Sequence, residues 1–91
     1  MSYHFKASET FWRNFYALPD RQKAAVRRAW KIFKANPFDQ RLGVHKIHAL
    51  SAKSGKTIHA LVIEADLRAV FFVEGDTVFT VDIGTHAIYR T

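Results

Sequence analysis

The chain has 91 residues, 48% hydrophobic and 14% aromatic, which suffices for one core and is too apolar for a disordered chain. It contains no cysteine, so disulfides and thiolate metal sites are excluded. No apolar run approaches the ~18 residues of a membrane span.

Lys and Arg total 14 against eight Asp and Glu, a formal charge of +6. The excess is uneven: residues 1–56 hold 12 basic side chains and three acids, residues 57–91 two basic side chains and five acids. A basic face on a small domain is the footprint of a nucleic-acid binder. A solvated helix surface accounts for the charge equally well. The N-terminal MSYHFKASE has no apolar h-region, so no secretory leader is expected and the cytoplasm is the expected location. One domain over residues 1–91 is expected.

Residues 3–7 (YHFKA) alternate as a first strand. Ser8 offers an N-cap to a short helix whose apolar stripe is Phe11, Phe15 and Leu18. Pro19 ends it, and Asp20 opens a second helix to about Ala35. Val26, Ala29, Trp30 and Phe33 form its core face, and Lys23, Arg27, Lys31 and Lys34 a basic stripe elsewhere on its surface. Asn36-Pro37 closes it. Beyond Gly43 four segments suit strands: VHKIHAL, TIHALVIEA, LRAVFFVE and TVFTVDIG. The breaks SAKSGK, Ala65-Asp66 and Glu74-Gly75-Asp76 are short, which requires antiparallel neighbours. The expected fold is α+β: an N-terminal strand, then a helical hairpin packed on one face of an antiparallel sheet of about four to five strands. The other face is expected to stay partly open, and it is the place to look for a site.

Arg68 begins an otherwise apolar strand, so it must reach solvent, a carboxylate such as Glu64 or Asp66, or a phosphate. Histidines stand at 4, 45, 48, 59 and 86. On a strand, 45 and 48 point to opposite faces and do not chelate from one side, so no metal is expected. His86 is distinguished by its company: Gly84 ends the strand before it, and Tyr89 and Arg90 follow within one turn. Ile88 is expected to pack on the sheet and anchor this tail.

The ordered set of Asn36-Pro37, the HKI segment, LRAVF, EGDTV and DIGTHAIYR resembles the RelE/ParE superfamily of toxin–antitoxin toxins along nearly the whole chain. The GTH ending is most similar to the YafQ- and RelE-type mRNA interferases. The resemblance implies a RelE/ParE-like fold and an endoribonuclease that cuts mRNA on the ribosome without metal or other cofactor. In that reaction the ribose 2′-OH attacks the adjacent phosphate and the 5′-oxygen leaves. It also implies a cognate antitoxin as partner, beside mRNA and the ribosome, and no membrane.

Position by position, Arg68 matches the strand arginine that stabilises the phosphate, and His86 the histidine of the GTH tail that serves as acid or base. His59 falls where some relatives carry a basic residue, and Asp66 where YafQ-type members keep an acid. Tyr89 or Arg90 takes the place of the tail aromatic that holds a base or steers the phosphate. His45 and Lys46 are further candidates for the RNA backbone, beside the Lys23, Arg27, Lys31 and Lys34 stripe. Leu67 replaces a tryptophan of the YafQ-type relatives, and Arg90 their terminal aromatic. Two alternatives stay open: a ParE-type toxin that inhibits DNA gyrase by protein binding, and a non-catalytic nucleic-acid-binding relative.

Overall fold

The computed structural model describes residues 3–90, the side chains of residues 86 and 90 lying outside that description. The elements run β1 (His4–Ala7), α1 (Glu9–Tyr16), α2 (Asp20–Ala35), β2 (His45–Lys46), α3 (His48–Ser54), β3 (His59–Glu64), β4 (Leu67–Glu74) and β5 (Thr77–Gly84). Short 3-10 turns lie at Gln40–Leu42 and His86–Arg90.

Ser8 starts α1 as expected: its hydroxyl accepts from the Phe11 N–H at 3.0 Å and donates to the Val81 carbonyl. One side chain therefore caps the helix and ties it to β5. Asn36 leaves α2 in an extended conformation (φ −158°, ψ 107°), as the residue before a proline prefers.

The strands lie in the order β1-β5-β4-β3-β2. The four strands β2 to β5 pair antiparallel through short connections. β1 joins β5 in parallel, so the sheet is mixed rather than wholly antiparallel. No hairpin links β1 to β5, and the intervening chain is long enough to allow either direction.

Opposite residues on neighbouring strands share a face. His59 pairs with Phe71 and Leu61 with Ala69, and this face carries the main core. There Phe11 and Phe15 of α1, with Val26, Ala29 and Phe33 of α2, bury Leu61, Ala69, Phe71, Val78 and Ile83. Ala60 pairs with Val70 and Val62 with Arg68, on the opposite face. A smaller cluster of Ile47, Ile58, Ala60 and Val70 forms there, with Leu50 of α3 and with Ile88 and Tyr89 against it. The second face is thus partly roofed, by an element the sequence pattern did not indicate.

That element is α3. The VHKIHAL segment pairs only at His45–Lys46, and the chain turns helical through most of the expected SAKSGK break. The Ile47 N–H still bonds the Ile58 carbonyl, at 2.8 Å, and Ser51 then takes over. Its hydroxyl donates to the Ile47 carbonyl at 2.8 Å and accepts from the Ile58 N–H at 2.9 Å. Ala49, Leu50, Ala52 and Lys53 are ready helix formers, and Gly55 closes the turn at φ +73°. His45 and His48 accordingly sit on different elements, and the strand-based comparison of their directions does not apply.

Replacing Ser51 by Ala leaves the Ile58 N–H without its hydroxyl acceptor, at a cost of about 1–3 kcal/mol. Urea unfolding is expected to show that loss, with faster amide exchange concentrated in residues 47–58.

Candidate catalytic face and nucleic-acid interface

Arg68 stands at the start of β4 on the sheet face away from α1 and α2, opposite Val62 on β3 and Gly84 on β5. Its Nη1 donates to the Glu64 carbonyl oxygen. The Glu64 carboxylate is engaged elsewhere, by Arg21 at 2.9 Å, so it supplies no salt bridge to Arg68. The Arg68 Nε is buried and finds no acceptor among the described residues. This guanidinium also hydrogen-bonds the Tyr89 side chain, and its fork of donors is suited to an anionic oxygen.

Tyr89 lies beside it. Burial pushes the Tyr89 phenol above its ordinary pKa, and the adjacent Arg68 guanidinium partly offsets the rise. The tail that brings Tyr89 here is anchored as expected, with Ile88 packed on the Val70 cluster. Gly84 makes that approach possible: a Cβ there would stand 2.7 Å from Ile88 Cγ2. The glycine closing the strand directly before the tail was the available sequence signal.

His45 is the third member. It pairs with Ala60, one strand position pair from Val62, and therefore shares the Arg68 face. Its ring meets the Tyr89 ring edge-on, centroids 6.5 Å apart. Its Nδ1 lies 3.0 Å from the Gly43 carbonyl. A carbonyl only accepts, so Nδ1 carries the hydrogen and the neutral ring keeps Nε2 open as a base. The bond depends on the left-handed Gly43 turn (φ 55°), which no sequence pattern announced.

His59 is elsewhere. It lies on the main-core face with Lys46 opposite, its ring stacked on Phe71 at 5.5 Å and edge-on to Phe38 at 5.3 Å. The structure thus brings Arg68, Tyr89 and His45 together and sets His59 and Lys46 on the other side of the sheet. Asp66 is exposed in the two-residue turn before β4. The side chains of His86 and Arg90 lie outside the described residues. In the basic stripe Arg27, Lys31 and Lys34 are exposed and Lys23 half-buried, and the Arg27 guanidinium sits 5.8 Å from the Phe15 ring centre. Among the described residues no three His, Asp or Glu side chains converge as metal ligands, and no helix is long and apolar enough to cross a membrane.

Burial, helped by the nearby Lys46, holds the His59 pKa below its ordinary value. The unfolded chain therefore takes up this proton first as pH falls below about 6.5. Stability present above that pH is lost toward the lower folded pKa. Urea midpoints at about pH 7.5 and about pH 5 are expected to differ for the parent, and to differ less for His59→Phe, whose ring cannot be protonated.

No protein-family model and no curated protein matches the sequence, but solved structures match the fold. An archaeal RelE–RelB complex from Pyrococcus horikoshii OT3 is 15% identical, covers 93% of this chain and 96% of its own, and gives a TM-score of 0.72. YafQ from E. coli strain BL21(DE3) is 14% identical, with coverages of 98% and 99% and a TM-score of 0.75. The E. coli DinJ–YafQ toxin–antitoxin complex is 13% identical, covers 97% of both chains and gives 0.76. Agreement of this extent, over a sheet and helices in the same arrangement, establishes that the chain has the RelE-type toxin fold.

Proposed function

We propose that this chain is the toxin of a toxin–antitoxin pair and acts in the cytoplasm as an mRNA endonuclease on the ribosome. The observation that carries the reading is Arg68, held beside Tyr89 and the His45 ring, its Nε buried with no acceptor among the described residues. The fold shared with YafQ and RelE supports the toxin role. Two of the similar structures are complexes with RelB and DinJ, which supports a cognate antitoxin as partner.

The reaction needs one group to take the 2′-OH proton, a cation for charge gathering on phosphorus, and one group to protonate the departing 5′-oxygen. The 2′-oxygen forms its bond to phosphorus as the 5′-oxygen bond breaks, leaving a cyclic phosphate and a 5′-hydroxyl. Arg68 grips the phosphate oxygens. His45 and His86 divide the two proton roles, since His59 is on the far side of the sheet. Tyr89, with Arg90, steers the scissile step, and Asp66, two residues before Arg68, is a further candidate. The α2 stripe meets RNA phosphates.

Single-turnover cleavage of programmed mRNA on ribosomes tests the chemistry. His86→Gln and His45→Gln are each expected to slow cleavage by ~10²–10⁴-fold with little change in melting temperature. Arg68→Ala is expected to lose both binding and rate. A parent that cuts no RNA, with or without ribosomes, overturns the enzyme reading in favour of a gyrase-directed toxin. For the stripe, changing Lys23, Arg27 and Lys31 to Glu is expected to flatten the salt dependence of RNA binding by about one unit per lost phosphate contact.

A further inference from the structure

The outer surface of the helical hairpin holds a cleft of about 440 Å³ that the reaction above does not use. Phe11, Phe15 and Trp30 line it, with Arg27, Lys31 and Lys34 at its rim. Trp12 and Tyr16, one turn apart on α1, border it with 45% and 66% of their surface exposed. Their rings stack on each other at 26° with centroids 5.9 Å apart. Phe11 meets Trp12 edge-on at 5.2 Å, and Phe15 meets Tyr16 at 5.4 Å, so buried rings brace the exposed pair from below. Among the described residues Arg27, Lys31 and Lys34 form no ion pair.

We infer that this cleft is a second RNA site, which stacks an unpaired nucleobase on the Trp12–Tyr16 platform while Arg27, Lys31 and Lys34 hold the flanking phosphates. The inference takes RNA as the ligand from the reading above, but it does not require cleavage. Two features favour a nucleotide strand over a protein segment. The two rings stack on each other while 45% and 66% of their residues' surface stays exposed, so a base can add to the stack. The cations recur along α2 at steps of four and three residues, about 6 and about 4.5 Å of rise, and among the described residues none of the three is neutralised by an ion pair. Arg68 projects from the opposite sheet face. The strand stacked here is therefore not the stretch cut there, and the platform anchors the protein on an unpaired RNA base apart from the scissile step.

Both tryptophans of the chain border this cleft, so their emission reports its occupation. The test is titration with octaadenylate, an abasic ribose-phosphate octamer and an acidic amphipathic helical peptide. Octaadenylate is expected to quench the emission, and the abasic octamer to bind more weakly. Tyr16→Ala and Trp12→Ala are expected to weaken octaadenylate binding about 5- to 160-fold, the range for loss of one stacked base, with Tyr16→Phe restoring it. Trp12 and Trp30 both border this cleft, and their quenching by octaadenylate is expected even from a parent that cuts no RNA, so failure of the cleavage reading and failure of this one are separable. Equal binding of the abasic octamer, or undiminished binding by a folded Tyr16→Ala, overturns the stacking site and leaves a phosphate-binding surface. Quenching by the peptide with none by octaadenylate overturns it in favour of a protein-docking groove. If Trp12→Ala fails to fold, the largely exposed Tyr16 decides the matter.

Discussion

The structure turns on the contact between Phe33 of α2 and Phe71 of β4. Both rings are fully buried, and they meet edge-on with centroids 5.0 Å apart. Around them Phe5, Trp30 and Phe38 add further ring contacts, so β1, the C-terminal half of α2, the segment that follows it and the centre of the sheet share one aromatic nucleus. Offset and edge-on pairs fix orientation as well as burying area. With Phe71 held, the phase of β4 is fixed, because successive side chains must alternate between faces. Ala69 is committed to the helices, and Arg68 and Val70 are committed to the other side. A one-residue slip would place a guanidinium in the core, which makes the register strongly specified.

The candidate site follows from that alternation. Arg68 occupies the end of a strand whose middle is immobilised, so its position is set by the sheet and not by a loop. Tyr89 reaches it through a tail seated on Gly84 by Ile88, and His45 reaches it from a two-residue strand oriented by the Gly43 turn. Three separate stretches of chain converge, and each is fixed by a different local device. In the proposed reaction such preorganisation leaves little to rearrange as charge builds on a phosphate.

Much of this was legible beforehand. Ser8, Pro19 and Asn36-Pro37 marked the helix limits because caps and proline act locally. The aromatic and β-branched runs marked β3 to β5, and short breaks gave their antiparallel order. Arg68 stood out as a charge in an apolar run. Other features were hidden because they depend on distant partners. The HALSAKS stretch has no strong period, and its helix is stabilised by Ser51 bridging Ile47 and Ile58. The separation of His59 from Arg68 became visible only through cross-strand register, since each strand's alternation leaves its absolute face open. The parallel placement of β1 is likewise a matter of tertiary packing.

Both margins of the sheet are short. β1 contributes four residues, with the basic side chains His4 and Lys6 among them, and β2 only two. Beyond β1 the free end of β5 is taken up by Ser8, whose N–H donates to the Thr80 carbonyl at 3.0 Å and whose hydroxyl donates to the Val81 carbonyl. A second chain therefore meets little open backbone ladder to extend. Self-association by strand-to-strand zippering is disfavoured. Recognition is left to the side-chain-bearing surfaces, where affinity is set by shape and charge in place of a continuous row of main-chain bonds.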